Sequence, residues 1–350
     1  MFELQAEKLI TNGFVELHCH LREPGYEYKE TIETGVAAAK AGGYSVICPM
    51  PNTNPVCDNV QTLNLILERA RAFSDIKVLP VCAMTKGLNS DELVDFEVLH
   101  QAGAIAFSND GRPVENMATF KQILLKGKEL GLVMMSHSEN TEFAPDDNRS
   151  EYTAVARELA VVEECDAQLH FCHISTKESL DLIRAAKAKG LKVTCETAPH
   201  YFTLSKEDIV NKEARFKMNP PLRSRQDVEA VIQGLQDGTI DCIATDHAPH
   251  SVIEKTAQFE SAPYGIVGFE TAFALGYTYL VRKGFLTLNE LLDKMVENPA
   301  RIIGVEPSGR IEINLKKEWC VQAEKFLTKA KISPFEGLKL YGKVERCEYA

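Results

Sequence analysis

Short runs of apolar and β-branched residues recur along this chain, each followed by a longer stretch with helical periodicity. The runs cover 14–20, 44–50, 77–84, 104–109, 132–138, 168–175, 192–199 and 240–247, eight in all. Between them lie stretches such as 30–41, rich in helix formers and closed by Gly42 and Gly43, a helix stop. Strands alternating with helices predict parallel βα units, and eight such units close into an α/β fold, the (β/α)8 TIM barrel, of roughly 250 residues. The expected layout is a short N-terminal segment at 1–13, a catalytic barrel at 14–305 and a C-terminal segment at 306–350. An open doubly wound sheet has the same strand count, so closure is left to the structure.

A barrel of this kind carries its chemistry at the C-terminal ends of the strands. Nearly every run finishes in a polar or ionisable residue: His18 and His20, Asn52, Asp110, His137, His173 and Asp246. Packing does not explain apolar runs that end repeatedly in metal-ligand types. Period-two alternation puts His18 and His20 on one face, with Cys19 opposite, where two imidazoles can grip one ion. Asp110 sits in an Asn-Asp-Gly turn, and a carboxylate there can serve one metal with each oxygen. His137 and His173 end their runs as neutral imidazole donors. Asp246 ends the eighth, placed to touch a metal and to accept a proton. His170, of opposite parity to His173, reads as outward-facing and structural, His100 as surface, and His200 and His247 as packed or supporting.

Composition narrows the class. The 350 residues carry 39 basic and 50 acidic side chains, 39 − 50 = −11, with 45% hydrophobic and 25% charged residues. That is the make-up of a globular protein with a large core. A net negative chain argues against nucleic acid or an anionic membrane as partner, and no run reaches the ~20 apolar residues of a membrane span. The first eleven residues lack the apolar stretch of a signal peptide. Ten cysteines without CxxC spacing fit the reducing cytoplasm. Cys19, Cys48, Cys82, Cys172, Cys195, Cys242 and Cys320 read as small hydrophobes in strand-like contexts.

Longer strings carry a resemblance. His18-Cys-His-Leu-Arg-Glu-Pro-Gly25, Cys48-Pro-Met-Pro-Asn-Thr-Asn-Pro55, Phe107-Ser-Asn-Asp-Gly111, Cys172-His-Ile-Ser-Thr-Lys-Glu-Ser179, Lys217-Met-Asn-Pro-Pro-Leu-Arg-Ser224 and Thr245-Asp-His-Ala-Pro-His250 resemble the amidohydrolase superfamily, and within it the bacterial class I dihydroorotases. The similarity runs from about Gly13 to Ser333-Pro-Phe-Glu-Gly337. It implies a cytoplasmic enzyme that reversibly cyclises N-carbamoyl-L-aspartate to L-dihydroorotate in de novo pyrimidine biosynthesis. It also implies two Zn2+ per subunit: His18, His20 and Asp246 on one, His137 and His173 on the other, Asp110 bridging. Asp246 would be the catalytic proton carrier, and Arg22, Asn52, Asn219, His250 and the backbone at Tyr264 and Gly265 would bind substrate. The partners it admits, besides that substrate, are a second copy in a homodimer and aspartate carbamoyltransferase. Arg22 offers a planar fork for a carboxylate, and a divalent metal polarises a carbonyl and lowers the pKa of water.

Two alternatives stay open. Hydantoinases, dihydropyrimidinases and allantoinases bridge their metals with a carboxylated lysine, and no lysine lies in 104–111. A non-catalytic scaffold for aspartate carbamoyltransferase would be expected to have lost ligands. The chain also departs from the resemblance. Relatives carry a β-sandwich with a longer N-terminal part, so 306–350 reads as its remnant, with one barrel face left exposed. Asn109 stands where relatives often have a second Asp, with an altered charge expected at the bridge. The 251–263 loop beside His250 is the candidate cover of the site.

Overall fold

The computed structural model describes residues 2–5, 7–73, 75–89, 91–209 and 211–348. Its strands are β1 (Glu3–Gln5), β2 (Lys8–Thr11), β3 (Phe14–Cys19), β4 (Tyr44–Pro49), β5 (Lys77–Val78), β6 (Val81–Cys82), β7 (Ala106–Ser108), β8 (Val133–Ser136), β9 (Leu169–Phe171), β10 (Val193–Thr197), β11 (Cys242–Ile243), β12 (Arg310–Cys320) and β13 (Lys339–Glu348). The helices are α1 (Ile32–Gly42), α2 (Val60–Ala70), α3 (Phe96–Ala102), α4 (Met117–Leu130), α5 (Asn148–Cys165), α6 (Lys177–Ala188), α7 (Pro199–Thr203), α8 (Arg225–Asp237), α9 (Val252–Lys255), α10 (Ala272–Gly276), α11 (Leu288–Leu292) and α12 (Asn298–Ile303).

β3 pairs in parallel with β4 and β4 with β5, while β6 to β11 form a second parallel ladder in sequence order. The run expected as the third strand is split into β5 and β6 around Pro80, which has no N–H to give the ladder. The two ladders meet again where Cys19 bridges His247 in parallel and His20 N donates to His247 O at 2.8 Å. The barrel is therefore closed, and its seam lies between the strands that supply His18, His20 and Asp246. Here a carboxylate replaces part of the ladder: Glu16 accepts the backbone N–H of His18 at 2.9 Å and of Thr245 at 3.0 Å.

Capping sets the helix starts. Thr31, Asn59, Asp95, Asn116, Asp147, Thr176 and Ser224 each accept a first-turn N–H. Gly43, at φ 91°, ends α1 in the left-handed region that glycine enters at little cost. Val81, Ala106, Met135, Cys172 and Cys242 fill the barrel, and Ala300 and Ile303 of α12 close its base. A larger apolar layer lies between strands and helices.

The terminal segments are not loose. β1, β2, β12 and β13 form an antiparallel sheet in that order, whose Ile311, Ile313 and Leu340 are fully buried. Gly342 passes so close to α10 that a Cβ there would lie 2.9 Å from Phe273. Glu270 accepts the N–H of Leu327, and Glu30 binds the Thr328 hydroxyl. The face expected to stand exposed is thus covered. Cys320, expected as a small hydrophobe, ends β12 exposed, whereas the other six thiols of that group are buried.

Candidate metal centre and substrate pocket

Six side chains from five strand ends converge. His18 Nε2 lies 3.2 Å from Asp110 Oδ1 and 3.6 Å from Asp246 Oδ1. His20 Nε2 lies 3.2 Å from Asp246 Oδ1 and 3.5 Å from Asp110 Oδ2. On the other side, His137 Nδ1 and His173 Nε2 lie 3.4 and 3.5 Å from Asp110 Oδ1, and 2.9 Å from each other. Asp110 therefore faces both histidine groups. Donors held tetrahedrally at about 2.05 Å lie roughly 3.3 Å apart, which is the spacing observed. His18 Nε2 is buried and makes no hydrogen bond among the described residues. The donor set fits a divalent ion of the zinc type, and His18 with Asp110 and His173, or with His20 and Asp246, encloses space for one.

Electrostatics point the same way. Burial would raise the Asp110 and Asp246 carboxyls, yet the facing imidazoles hold Asp110 well below the usual carboxylate range and Asp246 below it. Burial would lower His18, yet Asp110 pushes it well above the usual imidazole value. A buried pocket that draws positive charge against the cost of burial favours a cation.

The surroundings set which ring nitrogen faces inward. His18 Nδ1–H donates to Glu196 Oε1 at 2.9 Å, His20 Nδ1–H to Asn52 Oδ1 at 2.9 Å, and His137 Nε2–H to Glu139 Oε2 at 2.9 Å. Each contact leaves the other nitrogen's lone pair for the centre. Glu16, Glu139 and Glu196 escaped the sequence reading. The available signal for Glu16 and Glu196 was a carboxylate inside an otherwise apolar strand, where acids are rarely buried without a task. For Glu139 it was proximity to His137.

The strand-parity reading of His170 is corrected. His170 pairs in register with Met135 and Thr194 and points inward, its Nε2–H bonded to Glu196 Oε2 at 3.2 Å. His173 reaches the centre because the chain has left β9 and turns at φ 36°. Parity does not extend beyond the strand. Asp246 at φ 48° and Arg22 at φ 62° are likewise left-handed, a strain of order 1–3 kcal/mol each that clusters at functional sites. Asn109 also differs from expectation. Its Oδ1 accepts from Met84 N at 2.9 Å and its Nδ2 donates to Thr85 Oγ1 at 2.7 Å, so it ties strand ends together and does not face the bridge.

Above the centre lies a cavity of about 160 Å3, walled by His20, Arg22, Asn52, Asp110, Gly111, His137, Asn219, Asp246, Ala248, Tyr264 and Gly265. This is below the ~300–1,000 Å3 of drug-sized sites and suits one small ring. Arg22 Nε donates to Pro249 O at 3.1 Å, and its Nη2 lies 3.3 Å from His250 Nε2, which fixes the guanidinium in the cavity wall. Asn52 is engaged twice, by His20 and by its own Nδ2 donating to Asp110 Oδ2 at 3.2 Å. Asn219 Nδ2 donates to Glu139 at 3.2 Å. His250 stands behind the wall: its Nε2–H donates to Tyr264 O at 2.7 Å and its Nδ1 accepts from Lys29 at 3.2 Å. Burial, Arg22 and Lys29 all disfavour its charged form. His247 bonds Glu30 and stacks on Phe269, His200 is buried against Tyr201, and His100 is exposed. Among the described residues no helix is long and apolar enough to cross a membrane.

A closed (β/α)8 barrel with buried histidine and aspartate at its strand ends is the architecture of the amidohydrolases. An L-hydantoinase (dihydropyrimidinase) from Arthrobacter aurescens superposes with a TM-score of 0.86 over 98% of this chain and 86% of its own, at 23% identity. A dihydropyrimidinase from Brevibacillus agri gives 0.83 at 20% identity, over 96% of this chain and 82% of its own. The dihydro-orotase-like family model matches residues 7–155. A dihydroorotase from Desulforapulum autotrophicum is 44% identical, covering 96% of this chain and 84% of that one, and one from Acetivibrio thermocellus is 43% identical over 96% and 85%. The chain belongs to the dihydroorotase family.

Proposed function

We propose that this protein is a dihydroorotase, interconverting L-dihydroorotate and N-carbamoyl-L-aspartate for pyrimidine synthesis, with two Zn2+ held by His18, His20, Asp110, His137, His173 and Asp246. The observation that carries it is the placement of Asp110, whose two oxygens face both histidine groups at 3.2–3.5 Å. On this reading a carboxylate of the chain would take the bridging position, and no modified lysine is called for.

The metals would supply Lewis acidity to the ring carbonyl and a lowered pKa for water. The chain's own groups do the rest. Arg22 binds the substrate carboxylate as a planar fork. Asn219 and the Tyr264-Gly265 backbone hold the ring, of which Gly265 N–H is already donated to Lys217 O at 3.0 Å. Asn52 acts through His20 and Asp110 as much as on substrate. Asp246, beside His20, accepts a proton from water and passes it to the departing ring nitrogen. In the cyclising direction Asp246 returns it. His250 sets Tyr264 in place.

Residues 14–305 form the catalytic domain, with 1–13 and 306–350 as its covering sheet. Ten thiols without a disulfide support a reducing, cytoplasmic setting. The test is turnover of dihydroorotate by zinc-loaded protein against a hydantoin and a dihydropyrimidine, with Asp246→Asn and a chelated sample. Turnover of dihydroorotate alone, lost in both controls, is expected. Inactive protein with two bound metals would overturn the reading.

A further inference from the structure

Lys255 closes α9 in the loop beside the pocket, buried, and no carboxylate pairs with it among the described residues. Its Nζ donates to Lys217 O at 2.9 Å and to Pro263 O at 3.1 Å. Those carbonyls belong to the two segments that make one wall of the cavity. Lys217 stands two residues before Asn219, and Pro263 directly precedes Tyr264 and Gly265.

Lys217 reciprocates. Its Nζ donates to Phe259 O at 2.7 Å and Glu260 O at 2.9 Å, and lies 4.6 Å from the Tyr264 ring centre. The start of the loop is fastened separately: Glu254 accepts from Ser251 N at 2.9 Å and pairs with Lys29 at 3.1 Å. Two lysines thus cross between loop and wall: Lys217 caps two carbonyls of the loop, and Lys255 caps Lys217 O together with Pro263 O at the far end of its own loop.

Burying an ammonium on carbonyls alone is costly. Burial, with Lys217 and Arg22 nearby, outweighs Glu254 and brings Lys255 down to about 7. A methionine would fill the same space without that cost, so packing does not account for the residue.

We propose that Lys255 is a positioning residue that staples the 251–263 loop to the segment ending at Asn219, and so holds Asn219 and the Tyr264-Gly265 backbone at the separation the substrate ring requires. What the pocket binds rests on the dihydroorotase reading; the staple itself does not.

Two measurements on Lys255→Met and Lys255→Arg test it. Hydrogen exchange on substrate-free protein is expected to speed up by roughly tenfold at the amides of 252–265 in K255M, with the barrel strands unchanged. K255R, which keeps the donors, regains at least part of that protection. For dihydroorotate, KM in K255M rises by roughly tenfold while kcat stays within about twofold. Unchanged loop exchange in K255M, loss of protection throughout the barrel, K255R as fast as K255M, or a fall in kcat with KM unmoved would each overturn the proposal. If wild-type protein fails to turn over dihydroorotate, the functional reading falls and the exchange data still decide the staple.

Discussion

Glu196 takes the Nδ1–H of His18 on one oxygen and the Nε2–H of His170 on the other, at 2.9 and 3.2 Å. Burial would raise this carboxyl, but the two imidazoles bring it down to about 2, so it stands as an ionised acceptor. The contact decides which nitrogen of His18 faces Asp110. In Glu196→Gln the amide accepts from one ring and must donate toward the other, which favours the wrong tautomer. Zinc affinity, measured by competition with a chelator, is expected to fall by about 10–100-fold. Equal affinity would show that His18 is oriented by packing alone.

Glu16 plays its part at the seam. It is fully buried and joins the backbones of His18 and Thr245. Glu16→Leu fills similar space but leaves both N–H groups without their acceptor, a loss of about 1–3 kcal/mol for each. The urea midpoint of metal-free protein measures it. An unmoved midpoint means that the Cys19–His247 bridge carries the seam without help.

Asp110→Asn keeps the shape of the turn and removes the charge that faces both histidine groups. Metal content by atomic absorption is expected to drop from two per chain to one or fewer. Two ions retained at full occupancy would deny Asp110 the bridging role.

His200 is buried and brought down to about 4 by burial, against an ordinary 6.5. Above pH 6.5 the group is neutral in both states and contributes nothing. As pH falls from 6.5 to 4, the unfolded chain takes up a proton that the folded protein refuses, so stability drops by up to about 3 kcal/mol. Denaturation of metal-free protein across this range, compared with His200→Asn, should show a shallower decline in the variant. Parallel curves would mean that His200 charges freely in the fold.

Ile311 is fully buried in the terminal sheet, its Cδ1 beside Gly43 at the end of α1. Ile311→Ala is expected to cost about 2–5 kcal/mol in one cooperative transition. A separate early transition would make the sheet a detachable unit.

The eight βα units and all six convergent donors could be read from the chain alone, because alternation with helices is a local pattern and strand ends are marked by where an apolar run stops. Arg22, Asn219, Tyr264 and Gly265 could be placed only through the resemblance of longer strings, since an isolated Arg or Asn has no local signature of binding. The orientation of the rings was beyond the sequence: His170 faces inward as His173 does, because one lies within β9 and the other beyond it, at φ 36°. The partners that choose each imidazole nitrogen come from 178 residues away for His18 and 32 for His20. Asn109 turns from the bridge because Met84, Thr85 and their strand end compete for it. Local patterning determined the elements and the donor types; only closure of the barrel, which brings distant carboxylates and amides against each ring, decided what each donor faces.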